Sequence, residues 1–179
     1  MKVVGFAGYS NAGKTTLLEQ VVRLLAESGE QVGVVKHAHH RFDIDHEGKD
    51  SWRHRKAGAR EVLVASDVRL ALMREYPVPR EPDVHELIAE LDPALDWVLV
   101  EGFRGEALPK VEVWRAPSPE HAASPVRYPE DAGILAVITD DARALPVPTA
   151  LPVLDWADAP ALVRWLRAEA GRFAYRRPA

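Results

Sequence analysis

Residues 8–15 have the sequence GYSNAGKT, whose spacing G-x-x-x-x-G-K-[ST] is that of a phosphate-binding loop. An apolar run at 3–7 predicts a short buried strand before the loop, and a helical pattern at 14–28 predicts a helix after it. A loop in this position directs backbone N–H groups and the positive end of the helix dipole at an anion. The stretch therefore predicts a site for the phosphates of a nucleoside triphosphate.

The side chains of the loop have separate predicted roles. We expect the backbone N–H groups of residues 11–15 to donate to the β-phosphate, while the two glycines allow its close approach. Lys14 is expected to contact β- and γ-phosphate oxygens, the Thr15 hydroxyl to bind magnesium, and Thr16 to contact the α-phosphate. The predicted nucleotide-binding residues of the loop are Gly8, Asn11, Ala12, Gly13, Lys14, Thr15 and Thr16.

An acidic residue at the carboxyl end of a neighbouring strand is expected to complete the cation site, since ligands bind at that edge of open α/β sheets. The segment DWVLVEG offers Asp96 and Glu101. In an extended strand they would lie about 16 Å apart, so both cannot serve one ion. Glu101 follows the apolar run, and we assign it to the magnesium shell, directly or through water. Lys14 and Glu101 are the predicted catalytic residues.

The rest of the chain alternates between apolar runs and helical patterns, which predicts an α/β fold. We expect a P-loop NTPase-like three-layer sandwich with a mostly parallel central sheet. Two β-rich runs at 61–65 and 68–73 predict an added β-hairpin. The expected organisation is a single nucleotide-binding domain at 1–173 with a flexible tail at 174–179.

The composition excludes several other classes of protein. The 179 residues include 23 basic and 27 acidic residues, for a net charge of −4, and no cysteine. Nucleic-acid binding needs clustered Lys and Arg, and disulfides or thiolate metal sites need cysteine. The N-terminal apolar run is too short for a signal peptide, and no stretch is long enough to span a bilayer. We therefore expect a cytoplasmic protein that binds neither nucleic acid nor a membrane.

A segment at 36–51, KHAHHRFDIDHEGKDS, is rich in potential metal ligands. If the chain is extended there, His37 and His39 lie on one face and His40 on the other. The segment could approach the γ-phosphate and magnesium, form a dedicated zinc or nickel site, or be a solvated polar loop. Within it we choose Asp45 for a metal or water contact.

Four blocks of sequence together resemble a known family, the molybdopterin-guanine dinucleotide biosynthesis adaptor proteins (MobB). The phosphate loop is shared by very many proteins, whereas a histidine block followed by GKDS and VEGF is far more specific. The order and spacing of the blocks resemble that family from residue 1 to about 140. The blocks are GYSNAGKTTL at 8–17, VKHAHHRFDID at 35–45, GKDSWRHRKAGA at 48–59 and LVEGFR at 99–104.

The resemblance implies a GTP-binding adaptor protein with weak GTPase activity, GTP and Mg2+ as its cofactors, and a homodimeric state. Such a protein assists a MobA-type molybdopterin guanylyltransferase, which attaches GMP to molybdopterin during molybdenum cofactor biosynthesis. Contact with molybdopterin itself stays open. The resemblance also places nucleotide at residues 8–16 and Glu101 in the Walker B position. We expect at most slow hydrolysis, because no catalytic glutamine or arginine finger can be assigned.

The guanine-binding N-K-x-D signature of many GTPases is absent. Its nearest equivalent is ITDD at 138–141, at the end of a predicted strand, where Asp140 or Asp141 could accept hydrogen bonds from guanine; we choose Asp140. A turn or a helix cap is the other interpretation of this pair.

Two other functions remain open from the residues alone. A small-molecule kinase would need an acceptor pocket and an arginine-rich lid. A metallochaperone GTPase would deliver nickel or zinc through His37, His39 and His40. Separately, the predicted hairpin offers an edge with which a second copy of the chain could pair.

Overall fold

The computed structural model describes residues 1–38, 42–119, 122 and 124–177. By its internal contacts the chain forms two compact units, one of residues Met1–His37 and Asp83–Ala179 and one of residues Ala38–Pro82. Among the described residues, every helix is too short or too polar to cross a membrane. The extent of the nucleotide-binding domain and the mobility of the tail stay predictions.

The described residues form eight strands and four α-helices. They are β1 (Lys2–Ala7), α1 (Lys14–Glu27), β2 (Val32–Lys36), α2 (Asp50–Lys56), β3 (Glu61–Ala65), β4 (Leu70–Arg74), α3 (Val84–Ala89), β5 (Trp97–Glu101), β6 (Lys110–Trp114), β7 (Ile134–Thr139), β8 (Val153–Asp155) and α4 (Ala159–Ala168), with 3-10 turns at Ala142–Ala144 and Ala170–Phe173.

Six strands of the first unit form one sheet in the order β2-β5-β1-β6-β7-β8. Every neighbouring pair is parallel, so all six carboxyl ends lie at the same edge. One face of the sheet packs against α1 and α4, in a core that includes Leu17 and Leu162. The other face packs against α3 through Val84 and Ile88. The predicted three-layer fold with a parallel central sheet is confirmed.

Strand β5 shows why the sequence folds this way. All five of its residues are buried, as expected for a strand covered on both faces. Trp97 and Leu99 belong to the core beneath α1, whereas Val98 and Val100 belong to the core beneath α3. Side chains alternate along a strand, so Glu101 is directed to the same face as Leu99, the face that carries α1.

The second unit contains α2 and the antiparallel hairpin β3–β4, which confirms the added hairpin. Strand β4 begins at Leu70 and not at residue 68 as predicted. The reason is local, because the Ser66 hydroxyl accepts hydrogen bonds from the backbone N–H groups of Val68 (3.2 Å) and Arg69 (3.1 Å). These bonds keep both residues in the turn.

The buried carboxylate of Glu112 anchors the proline-rich segment that follows β6 through hydrogen bonds. Glu112 is 1% exposed and accepts hydrogen bonds from the backbone N–H groups of Arg127 and Tyr128, all between 2.8 and 3.0 Å. Burial raises the pKa of Glu112, while these two hydrogen bonds oppose the rise. The segment is thereby held beside the sheet although it contains no regular helix among the described residues.

Candidate nucleotide-binding site

The phosphate-binding sequence forms a tight loop between β1 and α1. Its backbone has positive φ at Gly8 (140°), Asn11 (66°) and Gly13 (78°). The Lys14 ammonium group lies inside the turn and donates to the carbonyl oxygens of Gly8 (2.9 Å) and Tyr9 (2.7 Å). The loop is therefore closed by its own lysine, the group that we predicted to contact phosphate.

Both glycines of the motif are required by their surroundings. A Cβ at Gly8 would lie 2.3 Å from the carbonyl oxygen of Val113 in β6, and a Cβ at Gly13 would lie 2.9 Å from the indole ring of Trp156. Contacts this short require either the loop or the neighbouring group to shift. The glycines let the loop lie directly against the carboxyl ends of β6 and β8.

Two side chains predicted to hold the cation meet at the carboxyl edge of the sheet. The Thr15 hydroxyl, at the start of α1, donates to Oε1 of Glu101 at 2.8 Å. Adjacent oxygen ligands of an octahedral magnesium ion, each about 2.1 Å from the metal, lie roughly 3 Å apart. The spacing and the donor types, one hydroxyl and one carboxylate, therefore fit Mg2+.

Strand register explains how residues so distant in sequence meet. Parallel pairing aligns Glu101 with Phe6 of β1 on one side and with Lys36 of β2 on the other. As a result Lys36 reaches the same carboxylate, with its Nζ 3.3 Å from Oε2 of Glu101 and 3.5 Å from the Thr15 hydroxyl. Lys36 was not predicted as a site residue, because only the register places it there.

The residues after β2 and β5 fit together as one structural unit. The backbone N–H of His37 donates to the carbonyl oxygen of Glu101 at 2.9 Å, and the His37 ring stacks on Phe103 with 4.9 Å between ring centres. Gly102 has φ of 98°, and a Cβ there would lie 2.9 Å from the Cβ of His37. The KH and EGF motifs therefore depend on each other physically.

The predicted histidine cluster falls only partly within the described residues. His39 and His40 lie outside the described residues, so the predicted cluster with His37 stays a prediction. In the part of the chain that the structure describes, no group of three or more His, Asp or Glu side chains is arranged to hold a metal ion.

The charges near Lys14 are predominantly positive. Burial lowers the pKa of Lys14; the Glu101 carboxylate opposes this, and the positive charges of Arg104 and Lys36 lower the pKa further. Arg104 also lies over the ring of Tyr9 in the loop, 5.5 Å from the ring centre. A bound polyphosphate would relieve this repulsion, although the whole chain carries a net charge of −4.

Asp140 follows β7 and belongs to a network of side-chain contacts that reaches the phosphate loop. Its carboxylate accepts from Arg115 Nε at 2.6 Å and from the Ala116 N–H at 2.9 Å. Burial acts to raise the pKa of Asp140, but these hydrogen bonds outweigh it and the pKa is lowered. The Arg115 guanidinium lies 4.4 Å above the ring of Trp156, the ring that packs on Gly13.

This network bears on the predicted guanine contact. Both oxygens of Asp140 already have a partner within the chain, so a guanine base would have to share them with Arg115 and the Ala116 N–H. Asp141 accepts from the Arg143 N–H at 2.9 Å and caps a 3-10 turn. A role for Asp140 in guanine binding stays a prediction. Sequence reasoning did not find Arg115 and Trp156, whose only signal was their position after predicted strands.

Asp45 lies in the second unit, within a cluster of charges. Its side chain is 4% exposed and accepts from the Ser51 hydroxyl at 2.8 Å and from Arg55 Nε at 3.3 Å. Arg55 also binds Asp43 at 2.8 Å and Glu75 at 3.0 Å. These contacts account for the burial of Asp45, and its predicted contact with a metal or water stays a prediction.

Comparison with known proteins identifies consistent relatives. The family described as "Molybdopterin guanine dinucleotide synthesis protein B" (MobB) matches residues 3–140. The chain is 43% identical over 140 residues to the molybdopterin-guanine dinucleotide biosynthesis adapter protein of Haemophilus influenzae, covering 77% of this chain and 74% of that protein. The Escherichia coli adapter protein is 36% identical over 174 residues, covering 94% and 95% respectively.

Solved structures agree with the sequence matches. The crystal structure of a MobB homologue from Bacillus stearothermophilus has a TM-score of 0.67 and 34% identity, covering 96% of this chain and 99% of that one. The structure of Bacillus subtilis MobB has a TM-score of 0.71 and 26% identity, covering 98% and 100%.

Proposed function

Because the chain belongs to the MobB family, we propose that it is an adapter in molybdopterin guanine dinucleotide synthesis that binds GTP with Mg2+. The observation that carries the nucleotide part is the 2.8 Å contact between Thr15 and Glu101 beside a loop of phosphate-binding sequence. The hydroxyl and the carboxylate are the two cation ligands that such a loop requires.

The chain's own groups have defined tasks in this proposal. Lys14 exchanges its two carbonyl partners, Gly8 and Tyr9, for phosphate oxygens. Burial and the nearby charges of Arg104 and Lys36 lower the pKa of Lys14 in the free site, and a bound polyanion would stabilise its ammonium form. The N–H groups of the loop donate to the β-phosphate, and Thr15 and Glu101 hold Mg2+, which when bound neutralises charge on the β- and γ-phosphate oxygens.

Slow hydrolysis is part of the proposal. In the proposed complex Glu101 contacts Thr15 and would be engaged by Mg2+, which leaves it poorly placed to orient an attacking water. Lys14 and Glu101 then contribute by positioning the phosphates and the cation. A GTPase with these two groups alone is expected to be slow, as suits an accessory protein.

The proposed state is a homodimer, and the hairpin supplies a surface for it. Leu63 and Leu72 are cross-strand partners, and Leu70 lies on the same face beside them. Their exposures are 58%, 39% and 64%, so the second unit presents a row of leucines on this face. A second copy would bury them. Light scattering at micromolar concentration should give a dimer for the wild type and a monomer for Leu70→Lys; a monomeric wild type would contradict the proposal.

The proposed partner is a molybdopterin guanylyltransferase of the MobA type, in the cytoplasm. An adapter that holds GTP is chemically suited to this partner, because GTP is the donor of the guanylyl group. The loop and the contact between Thr15 and Glu101 support the proposed binding of nucleotide and cation. Contact with molybdopterin is not needed to explain any residue in it.

Titration calorimetry with GTP and with ATP, each with and without Mg2+, tests the proposed function. We expect the wild type to prefer GTP and to bind it more tightly with Mg2+. Lys14→Ala should lose about 100-fold in affinity, since a buried charge-assisted contact to phosphate is removed. Equal affinity for GTP and ATP would contradict the guanine assignment, and retention of affinity by Lys14→Ala would contradict the phosphate site.

A further inference from the structure

Lys36 places its ammonium group on the two side chains that we assign to the cation. It is the last residue of β2 and pairs in register with Glu101. Its Nζ lies 3.3 Å from Oε2 of Glu101 and 3.5 Å from the Thr15 hydroxyl, whose own hydrogen is donated to Oε1 of the same carboxylate. The three groups form a closed triangle at the mouth of the loop.

The two ends of this ion pair differ in mobility. The Glu101 side chain is 11% exposed and the Lys36 side chain is 55% exposed. Glu101 is also fixed by Thr15 and by its place in a central strand. The lysine has a flexible four-carbon stem and is the member that can turn away.

Mg2+ would need the Thr15 hydroxyl and the Glu101 carboxylate, the two groups that Lys36 contacts. The ion binds oxygen at 2.0–2.1 Å, so a cation held by Thr15 and Glu101 would lie beside an ammonium group that contacts both. When a dication and an ammonium group contact the same carboxylate, the repulsion between the two charges is large. The cation and the lysine therefore compete for one carboxylate.

We propose that Lys36 is a built-in counter-ion of the cation site. It holds Thr15 and Glu101 in place, and Mg2+ displaces it only when a nucleotide binds. The proposal rests on the proposed nucleotide function. A single carboxylate already neutralised by a lysine attracts a dication weakly, and Lys14 and Arg104 add positive charge nearby. A triphosphate supplies the negative charge that recruits Mg2+ and gives Lys36 a new partner.

This assignment makes Lys36 a positioning residue that couples metal binding to nucleotide binding. In nucleotide-free protein the lysine suppresses metal binding. With nucleotide but no metal, the lysine partly takes the place of Mg2+ as the counter-charge of the phosphates. Removing its charge should therefore strengthen metal binding to the free protein and enlarge the gain in GTP affinity that Mg2+ provides.

The test compares Lys36→Gln with two other variants. Mn2+ binding to nucleotide-free protein is measured by electron paramagnetic resonance of the free ion, and GTP binding with and without Mg2+ by calorimetry. We expect Lys36→Gln to bind Mn2+ about tenfold more tightly than the wild type, and the Mg2+-dependent gain in GTP affinity to rise by a similar factor. Lys36→Arg keeps the charge and should resemble the wild type.

Arg23→Gln is the matched control, because Arg23 is an exposed cation on α1, about 13 Å along the helix axis from Lys14. An increase in Mn2+ affinity equal to that of Arg23→Gln, or no increase, would overturn the role of Lys36 while leaving nucleotide binding intact. A wild type that binds no nucleotide would instead overturn the proposed function and this inference with it. Thermal unfolding of each variant verifies that it is folded.

Discussion

Two groups of charged side chains in this molecule each contain a largely buried carboxylate, and they differ in the cation that contacts it. At the carboxyl edge of the first unit, Glu101 is held by a hydroxyl and by a half-exposed lysine. In the second unit, the acidic side chains around Arg55 are held by a guanidinium that is 16% exposed and binds three carboxylates. In the proposed function, the first arrangement exchanges the lysine for a cation. In the second, the guanidinium already pairs with all three carboxylates.

The difference indicates that the cation paired with a buried carboxylate decides whether that carboxylate can bind another ligand. A lysine is a single mobile charge, and a threonine hydroxyl can turn its lone pairs to a metal. A planar guanidinium fixes its carboxylates through several directed hydrogen bonds. We therefore expect changes at the carboxyl edge to alter ligand binding and changes around Arg55 to alter stability.

The largest effect should come from a pair of glycine substitutions, one on each side of this comparison. Gly13 and Gly48 have φ of 78° and 83°, but only Gly13 has atoms within 4 Å of an added Cβ. Gly13→Ala should move the loop away from Trp156 and reduce GTP affinity by about 100-fold. Gly48→Ala should cost about 1–2 kcal/mol of stability from its backbone conformation alone.

Calorimetry with GTP and thermal unfolding measure both outcomes. Equal loss of GTP affinity in the two variants would contradict this assignment, because Gly48 lies in the second unit, outside the loop. An unchanged affinity in Gly13→Ala would contradict the described loop geometry.

A smaller effect is expected from Arg55→Gln. The change leaves the nearly buried carboxylate of Asp45 without its cation, which is destabilising, so the Tm should fall by several degrees while GTP affinity at lower temperature is retained. Arg53→Gln is the control, because the Arg53 pair with Asp50 is exposed on both sides and 3.6 Å long. A large loss of GTP affinity in Arg55→Gln would contradict a purely structural role for this cluster.

The smallest effect is a dependence on pH in the same cluster. The hydrogen bond from Arg55, aided by the N–H of Asp45, lowers the pKa of Asp43 below its usual 3.8. A carboxyl whose folded pKa is lowered stabilises the fold above its usual pKa, and the contribution is lost as pH falls through the folded value. The Tm difference between wild type and Asp43→Asn should be constant from about pH 7 to pH 5 and shrink below about pH 4. A difference that grows on acidification would contradict the contact.

The parts of the site that were predictable lie within one continuous stretch of sequence or follow from the position of a residue at the end of a strand. The loop motif indicated Gly13, Lys14 and Thr15, because its spacing alone sets their geometry. Glu101 followed from the apolar run before it and from the rule that ligands bind at the carboxyl edge of open α/β sheets. The structure places the Thr15 and Glu101 side chains in contact, as their assignment to one cation requires.

Other parts could not be predicted, because they depend on which strands are neighbours and in what register. Lys36 reaches Glu101 only through the pairing of β2 with β5, and Trp156 reaches Gly13 only because β8 lies at the same edge of the sheet. The sequence pattern also could not show that Arg55 binds Asp45, since periodicity does not report side-chain pairing in an irregular segment. These contacts depend on nonlocal packing, which the motifs do not describe.

The most direct test of the central claim is the Mg2+ dependence of GTP binding in two variants of one strand. Glu101→Gln removes the proposed cation ligand. Asp96→Asn changes the acid before the amino end of β5, which accepts the Gln31 N–H at 2.9 Å. We predict that Mg2+ strengthens GTP binding to the wild type and to Asp96→Asn but has little effect on Glu101→Gln. A Glu101→Gln variant with the full magnesium effect would contradict the account.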